Sequence, residues 1–231
     1  MSFSEILFLT FLISIIFQIN LSELIYKQEI NNLPKIIHFA ITYILLVINI
    51  FLLQEDFKCK TKINVKYFFV GFINGILFIA IYIFFNNFIF IKKINFLLIF
   101  QCFLLSIFVS YIEELIFRFF LFENLKSLKY SKIIVSYLYT QLHFSNSNLL
   151  ELISLFMLGL ILSEAYQINF SLSVGIHAGI IFCLSYIDMN NIFVNYLKPQ
   201  STLLGLILLI ITFIIIKILK KHFTQYLRNK L

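Results

Sequence analysis

The sequence predicts an all-α, polytopic membrane protein with about eight transmembrane helices. Three observations carry this: 61% of its 231 residues are hydrophobic, only 13% are charged, and the mean hydropathy is +0.98. An ordinary soluble domain is roughly 45–50% apolar and about 25% charged. A soluble fold of this size could not cover so much apolar surface with so little charge. Disordered, collagen-like and disulfide-scaffold classes fall away with it. Phe supplies 30 residues and Trp none, a bias of the kind an AT-rich genome leaves, and it carries no function by itself.

Crossing hydrocarbon takes about 20 apolar residues, because every backbone polar group must be bonded within the segment. Read that way, the chain offers spans near 3–19, 36–53, 67–91, 95–122, 132–144, 149–164, 169–187 and 202–219. The first reads as a retained span, since MSFSEILF lacks a basic leader and no small-residue cleavage site follows. The fifth and sixth are short. The longest polar stretch, Gln54 to Lys66, is too short to fold alone. No linker rich in Pro, Gly or Ser and no repeat is evident, so residues 1–231 read as one membrane domain.

The net charge of +7 is spread over short loops and the C-terminal end, where a positive-inside bias places it rather than as a nucleic-acid footprint. With both termini in the cytoplasm, the inside set is Lys58, Lys60, Lys62, Lys66, Lys126, Lys129, Lys132, Lys217, Lys220, Lys221, Arg228 and Lys230. The outside set is Lys27, Lys35, Lys92, Lys93 and Lys198. Twelve against five favours that orientation, and the expected location is a bacterial plasma membrane. Cys59 lies in a Lys-rich loop, and Cys102 and Cys183 lie in apolar runs; no metal or redox spacing joins them. No Cys stands four from the end, so the chain does not read as a prenylation substrate.

Arg118 fits neither charge set, because it falls inside the fourth span together with Glu113 and Glu114. Ionisable residues within a span are costly and mark function or a paired structural site. Glu114 and Arg118 are four apart and can pair along one helix face. Glu113 is turned about 100° from Glu114, so one carboxylate is left over. It requires a second partner or a raised pKa. His143 ends the fifth span and His177 sits in the middle of the seventh. Two imidazoles and a spare carboxylate can activate a water and stabilise an oxyanion, and the same three groups could instead hold a metal.

Plainer roles compete for each residue. The Glu–Arg pair could be a staple between spans, and His177 a hydrogen-bonded packing residue. Gly175 and Gly179 form a small-xxx-small face suited to close helix contact. His38 and His222 read as interfacial, and Asn74, Asn86 and Asn87 as bonds between helices. Glu123, Glu151 and Glu164 read as solvated loop edges.

Glu113-Glu114-x-x-x-Arg118, then Tyr139-x-x-x-His143, then His177 in a Gly-bearing span, resembles the CPBP (or Abi) family of intramembrane proteases. That family includes type II CAAX prenyl endopeptidases and bacteriocin-processing or immunity proteins. The resemblance covers residues 100–187. The first motif, EExxxR, matches in full; the second, FxxxH, has Tyr139 in place of Phe. The third places Asn or a small polar group four residues after the His, and here Ile181 stands there.

The resemblance implies an endopeptidase acting on a membrane-associated peptide, prenylated or bacteriocin-like, in the lipid bilayer, with a core of four helices carrying the site. Glu113 would be the base that activates water and His143 would share that water. Glu114 would pair with Arg118, and His177 would stabilise the oxyanion, with Tyr139 in support. No cofactor is implied by the glutamate-protease description. A zinc ion on Glu113, His143 and His177 is the minority version.

Ile181 removes a donor, and an oxyanion-hole donor is worth about 3–4 kcal/mol of transition-state stabilisation. Ser173 and Ser185 are candidates to replace it. The alternative reading is an inactive relative serving as an immunity or membrane interaction protein. A transporter would show helices broken by Gly or Pro at mid-membrane, yet Pro34 and Pro199 both fall in loops. Depths counted from the cytoplasmic side come to roughly 13 Å for Glu113, 12 Å for His177 and 17 Å for His143, so His143 is the residue out of line.

Overall fold

The computed structural model describes residues 63–86, 96–143, 148–190 and 199–228. The expected spans at 3–19 and 36–53, with His38, Cys59 and Asn87, lie outside them. All regular elements among the described residues are helical. These are α1 (Val65–Asn86), α2 (Phe96–Leu125), α3 (Ser131–His143), α4 (Leu149–Ile168), α5 (Phe170–Asn190) and α6 (Leu203–Arg228). A 3₁₀ turn, Pro199–Ser201, precedes α6.

Five of these helices are long and apolar enough to cross a membrane: α1, α2, α4, and the Phe170–Ile187 and Leu203–His222 stretches of α5 and α6. With this composition the protein is an integral membrane protein. The remaining helix, α3, has 13 residues, about 20 Å at 1.5 Å per residue, which is short of a hydrocarbon crossing. The expected span at 132–144 is thus a helix, but too short to cross by itself.

Local chemistry sets the helix ends. Asn148 begins α4, its side chain accepting from the Leu150 N–H at 3.0 Å, as an N-cap does. Asn64 does the same for α1, accepting from Lys66 N–H at 3.1 Å. Its own N–H donates to Ser171 Oγ at 2.7 Å, tying the start of α1 to the start of α5. Asn169 alone separates α4 from α5. Its extended backbone ends one helix, and its side chain accepts from Ser171 N–H at 2.8 Å to begin the next.

Helix α5 is packed most heavily against α1, then α2, while α4 lies between α3 and α6. The α1–α5 contact is close because both faces are glycine. A Cβ on Gly75 would stand 2.9 Å from Gly179 Cα, and one on Gly175 would stand 2.9 Å from Phe72 N. The small face expected at Gly175 and Gly179 therefore meets a matching one at Gly71 and Gly75. Away from that contact α1 and α6 expose Phe69, Ile73, Phe84, Ile207, Ile214 and Ile218, the apolar exterior that lipid requires.

Asn74 and Asn86 do not join helices as expected. Each returns its amide to its own helix, Asn74 to Val70 O at 2.7 Å and Asn86 to Tyr82 O at 2.9 Å. Glu164 is no solvated loop edge either: it is buried and paired with Lys132 and Lys220. That network joins the start of α3 to the ends of α4 and α6. It gathers basic residues assigned to one side of the membrane at one end of the bundle.

Candidate active site

The second helix changes character directly after the paired glutamates. From Leu115 to Phe122 it is a π-helix, and all eight of its residues are buried. Bonding from i to i+5 widens the turn, and such segments recur at functional sites. Arg118 lies inside this segment and is fully buried. Its guanidinium stands 3.3 Å from Glu114 Oε1 and donates to Gly159 O of α4 at 3.3 Å. It also lies 4.6 Å from the centroid of the Tyr139 ring, within cation–π range.

Glu114 does more than pair with Arg118. His177 Nδ1 lies 3.0 Å from its Oε1, and Ser173 Oγ donates to its Oε2. Two donors from α5 and the α2 guanidinium thus converge on one carboxylate. Since a carboxylate can only accept here, His177 carries hydrogen on Nδ1, and its Nε2 is turned to the Tyr139 hydroxyl 3.3 Å away. Ser173 is accordingly a partner of Glu114 rather than a replacement for the donor missing at Ile181. Ser185 does not line the cavity around these groups.

Glu113 faces the other way, as the 100° offset requires. Its Oε2 lies 3.0 Å from His143 Nε2 and 3.5 Å from His177 Nε2. His143 Nδ1 is 2.9 Å from the Tyr139 carbonyl. A carbonyl accepts only, so that nitrogen bears hydrogen. The short Nε2–Oε2 approach then needs one further proton, on the imidazole or on the carboxyl. Glu113 and His143 are thus close enough to exchange a proton.

Tyr139 binds the site together. Its ring lies against His143 with centroids 4.2 Å apart, and its hydroxyl reaches His177. Phe at this position would keep the ring and lose the hydroxyl.

The predicted residues Glu113, Tyr139, His143 and His177 all line one cavity of about 200 Å³, with Ile181 and Ser154 also in its wall. Glu114 and Arg118 stand behind it. The depth discrepancy expected for His143 vanishes because α2 runs on to Leu125. Glu113 lies twelve residues before that end, and His143 lies twelve after Ser131. Ser154 escaped sequence reading because it belongs to no motif. Among the described residues, no group of three or more His, Cys, Asp and Glu is set out to hold a metal ion.

A family model described as Rce1-like, type II CAAX prenyl endopeptidase Rce1-like, matches residues 95–198. This region, which holds every residue of the cluster, is thus similar to the type II CAAX prenyl endopeptidases. No curated protein and no solved structure matches the chain.

Proposed function

We propose that the protein is an intramembrane endopeptidase that hydrolyses a membrane-associated peptide with water activated by Glu113. The observation that carries this reading is the Glu113 Oε2 position, 3.0 Å from His143 Nε2 at the wall of a cavity that can admit water and a peptide bond. A carboxylate and an imidazole that exchange one proton can take it from water and return it to the leaving amine. Glu113 would accept a proton from water while the water oxygen attacks the carbonyl carbon, with His143 orienting that water. His177, held by Glu114, brings its Nε2 to 3.5 Å from that same Glu113 oxygen. The Glu114–Arg118–Ser173 cluster would then fix the His177 tautomer and leave Glu113 as the carboxylate that faces the cavity.

The apolar surroundings favour a lipidated substrate. A second cavity of about 400 Å³ adjoins the first and shares Phe78, Leu158, Ile180 and Leu209 with it. A hydrocarbon chain fits that lining. In this reading residues 1–231 work as one membrane domain, with both termini cytoplasmic and the cavity reached from that side or from lipid.

The test uses purified full-length protein in lipid, with a panel of membrane-associated peptides that includes prenylated CAAX peptides. Wild type, Glu113→Gln and Ile181→Asn are compared with and without a chelator. Cleavage that is lost in Glu113→Gln and indifferent to chelator is expected. Chelator-sensitive cleavage would instead assign the site to metal chemistry. Cleavage gained only in Ile181→Asn would identify a disarmed relative.

A further inference from the structure

The cavity wall contains a hydroxyl that no feature above employs. Ser154 on α4 is fully buried, lines the cavity, and its Oγ has no hydrogen-bond partner among the described residues. A helical serine or threonine can satisfy its hydroxyl on the carbonyl four residues back. Ser163 does so to Gly159 at 2.9 Å, and Thr140 to Ser136 at 2.8 Å. Ser154 does not. Ser110 and Ser136 also carry buried hydroxyls without partners among the described residues, but neither lines the cavity. A buried polar atom left unpaired is uncommon and calls for a reason.

The neighbouring donors are already committed. His143 donates from Nδ1 to the Tyr139 carbonyl, and its Nε2 faces Glu113. His177 donates from Nδ1 to Glu114. Its Nε2 is taken up by the Tyr139 hydroxyl 3.3 Å away. Ile181 contributes only hydrocarbon to the wall.

We propose that Ser154 is a catalytic residue whose hydroxyl donates to the carbonyl oxygen of the scissile peptide and stabilises the oxyanion. This rests on the reading of Glu113 as the base. Water oxygen bonds to the carbonyl carbon as Glu113 takes a water proton, and the C=O π pair moves onto oxygen. Ser154 O–H holds that oxygen without giving up its proton. The tetrahedral species then re-forms C=O, the C–N bond breaks, and the proton on Glu113 passes to the amine.

The test is steady-state cleavage of a farnesylated CAAX peptide by full-length protein in phospholipid vesicles, with thermal unfolding followed in parallel. Ser154→Ala should lower kcat about 10²–10³-fold, the range for loss of one oxyanion donor, with KM little changed. Its Tm should equal or exceed that of wild type, because the hydroxyl removed has no partner to lose. Ser154→Thr, which keeps a hydroxyl, should recover most of the rate. Wild-type kcat in Ser154→Ala, with Glu113→Gln inactive, overturns this proposal and leaves the Glu113 reading intact. Full activity in Glu113→Gln, or none in wild type, overturns both. A lower Tm in Ser154→Ala that Ser154→Thr does not restore assigns the residue to packing and overturns it as well.

Discussion

Glu164 and Glu113 are both carboxylates sunk among basic partners, 5% and 2% exposed, but they face different kinds of partner. Glu164 accepts from Lys132 and from Lys220, the latter at 2.8 Å, and Lys220 also donates to Gln167. Both lysine side chains stay partly exposed, at 29% and 28%, so each remains in touch with water while its amino group fills the carboxylate. Glu113 meets two imidazoles at a cavity wall instead. Imidazole is the side chain whose unperturbed charge change lies near neutral pH, which suits this pair to the proton transfer proposed for it. The contrast teaches that burial and pairing alone do not mark a reactive carboxylate. The partner's ability to exchange a proton, and space beside the pair, do.

The largest test of that contrast is Glu113→Gln, which keeps shape and removes the proton acceptor. Cleavage should fall about 10²–10⁴-fold, the range for a general base, while the protein inserts and unfolds like wild type. Equal rates for the two proteins would end the contrast.

Arg118→Met attacks what stands behind the site. It leaves Glu114 buried with His177 and Ser173 but without its cation, and breaking a buried pair in this way costs about 3–5 kcal/mol. A large fall in thermal stability is expected in detergent or lipid; an unchanged melting curve would mean that the arginine balances nothing.

Gly75→Val leaves every charge in place and forces α1 away from α5, the helix that carries His177. Overpacking of this sort costs about 1–3 kcal/mol. Activity should drop further than stability explains if the position of His177 matters. Parallel losses would mark the glycine face as simple packing.

Glu164→Gln gives the smallest effect. A partly exposed cluster is worth about 1 kcal/mol or less and is screened by salt. Its stability change should shrink as salt is raised, and kcat should stay near wild type. A catalytic defect here would show that the two clusters are coupled.

Much of the site was legible in advance because hydrocarbon makes ionisable residues conspicuous. Glu113, Glu114 and Arg118 stood out against their apolar run, and the helical offset already gave the arginine to only one glutamate. His143 and His177 were named by motif order, yet counting from approximate span ends put Glu113 too shallow and so left His143 out of line with it. The end of α2 at Leu125, beyond a π-helical segment, was invisible to hydropathy because the segment is as apolar as its neighbours. Asn74 and Asn86 were misread for a related reason. A polar amide in a span needs a partner, but composition does not tell whether that partner lies on another helix or one turn back. Ser154 is an ordinary helical serine in the sequence. Only the cavity beside it and the missing acceptor distinguish it.

The sequence by itself determined that this chain resides in a membrane, that its described elements are helices, and which costly side chains had to meet partners. These follow from transfer free energies, which are summed along the chain and need no fold. The tertiary structure decided which partners they met. It turned Glu114 toward Ser173 and His177, turned Glu113 toward His143, and closed Glu164 between two lysines. Those choices depend on how helices rotate and slide against one another. Close glycine contact and a widened turn set that rotation, and neither is a property of any one segment.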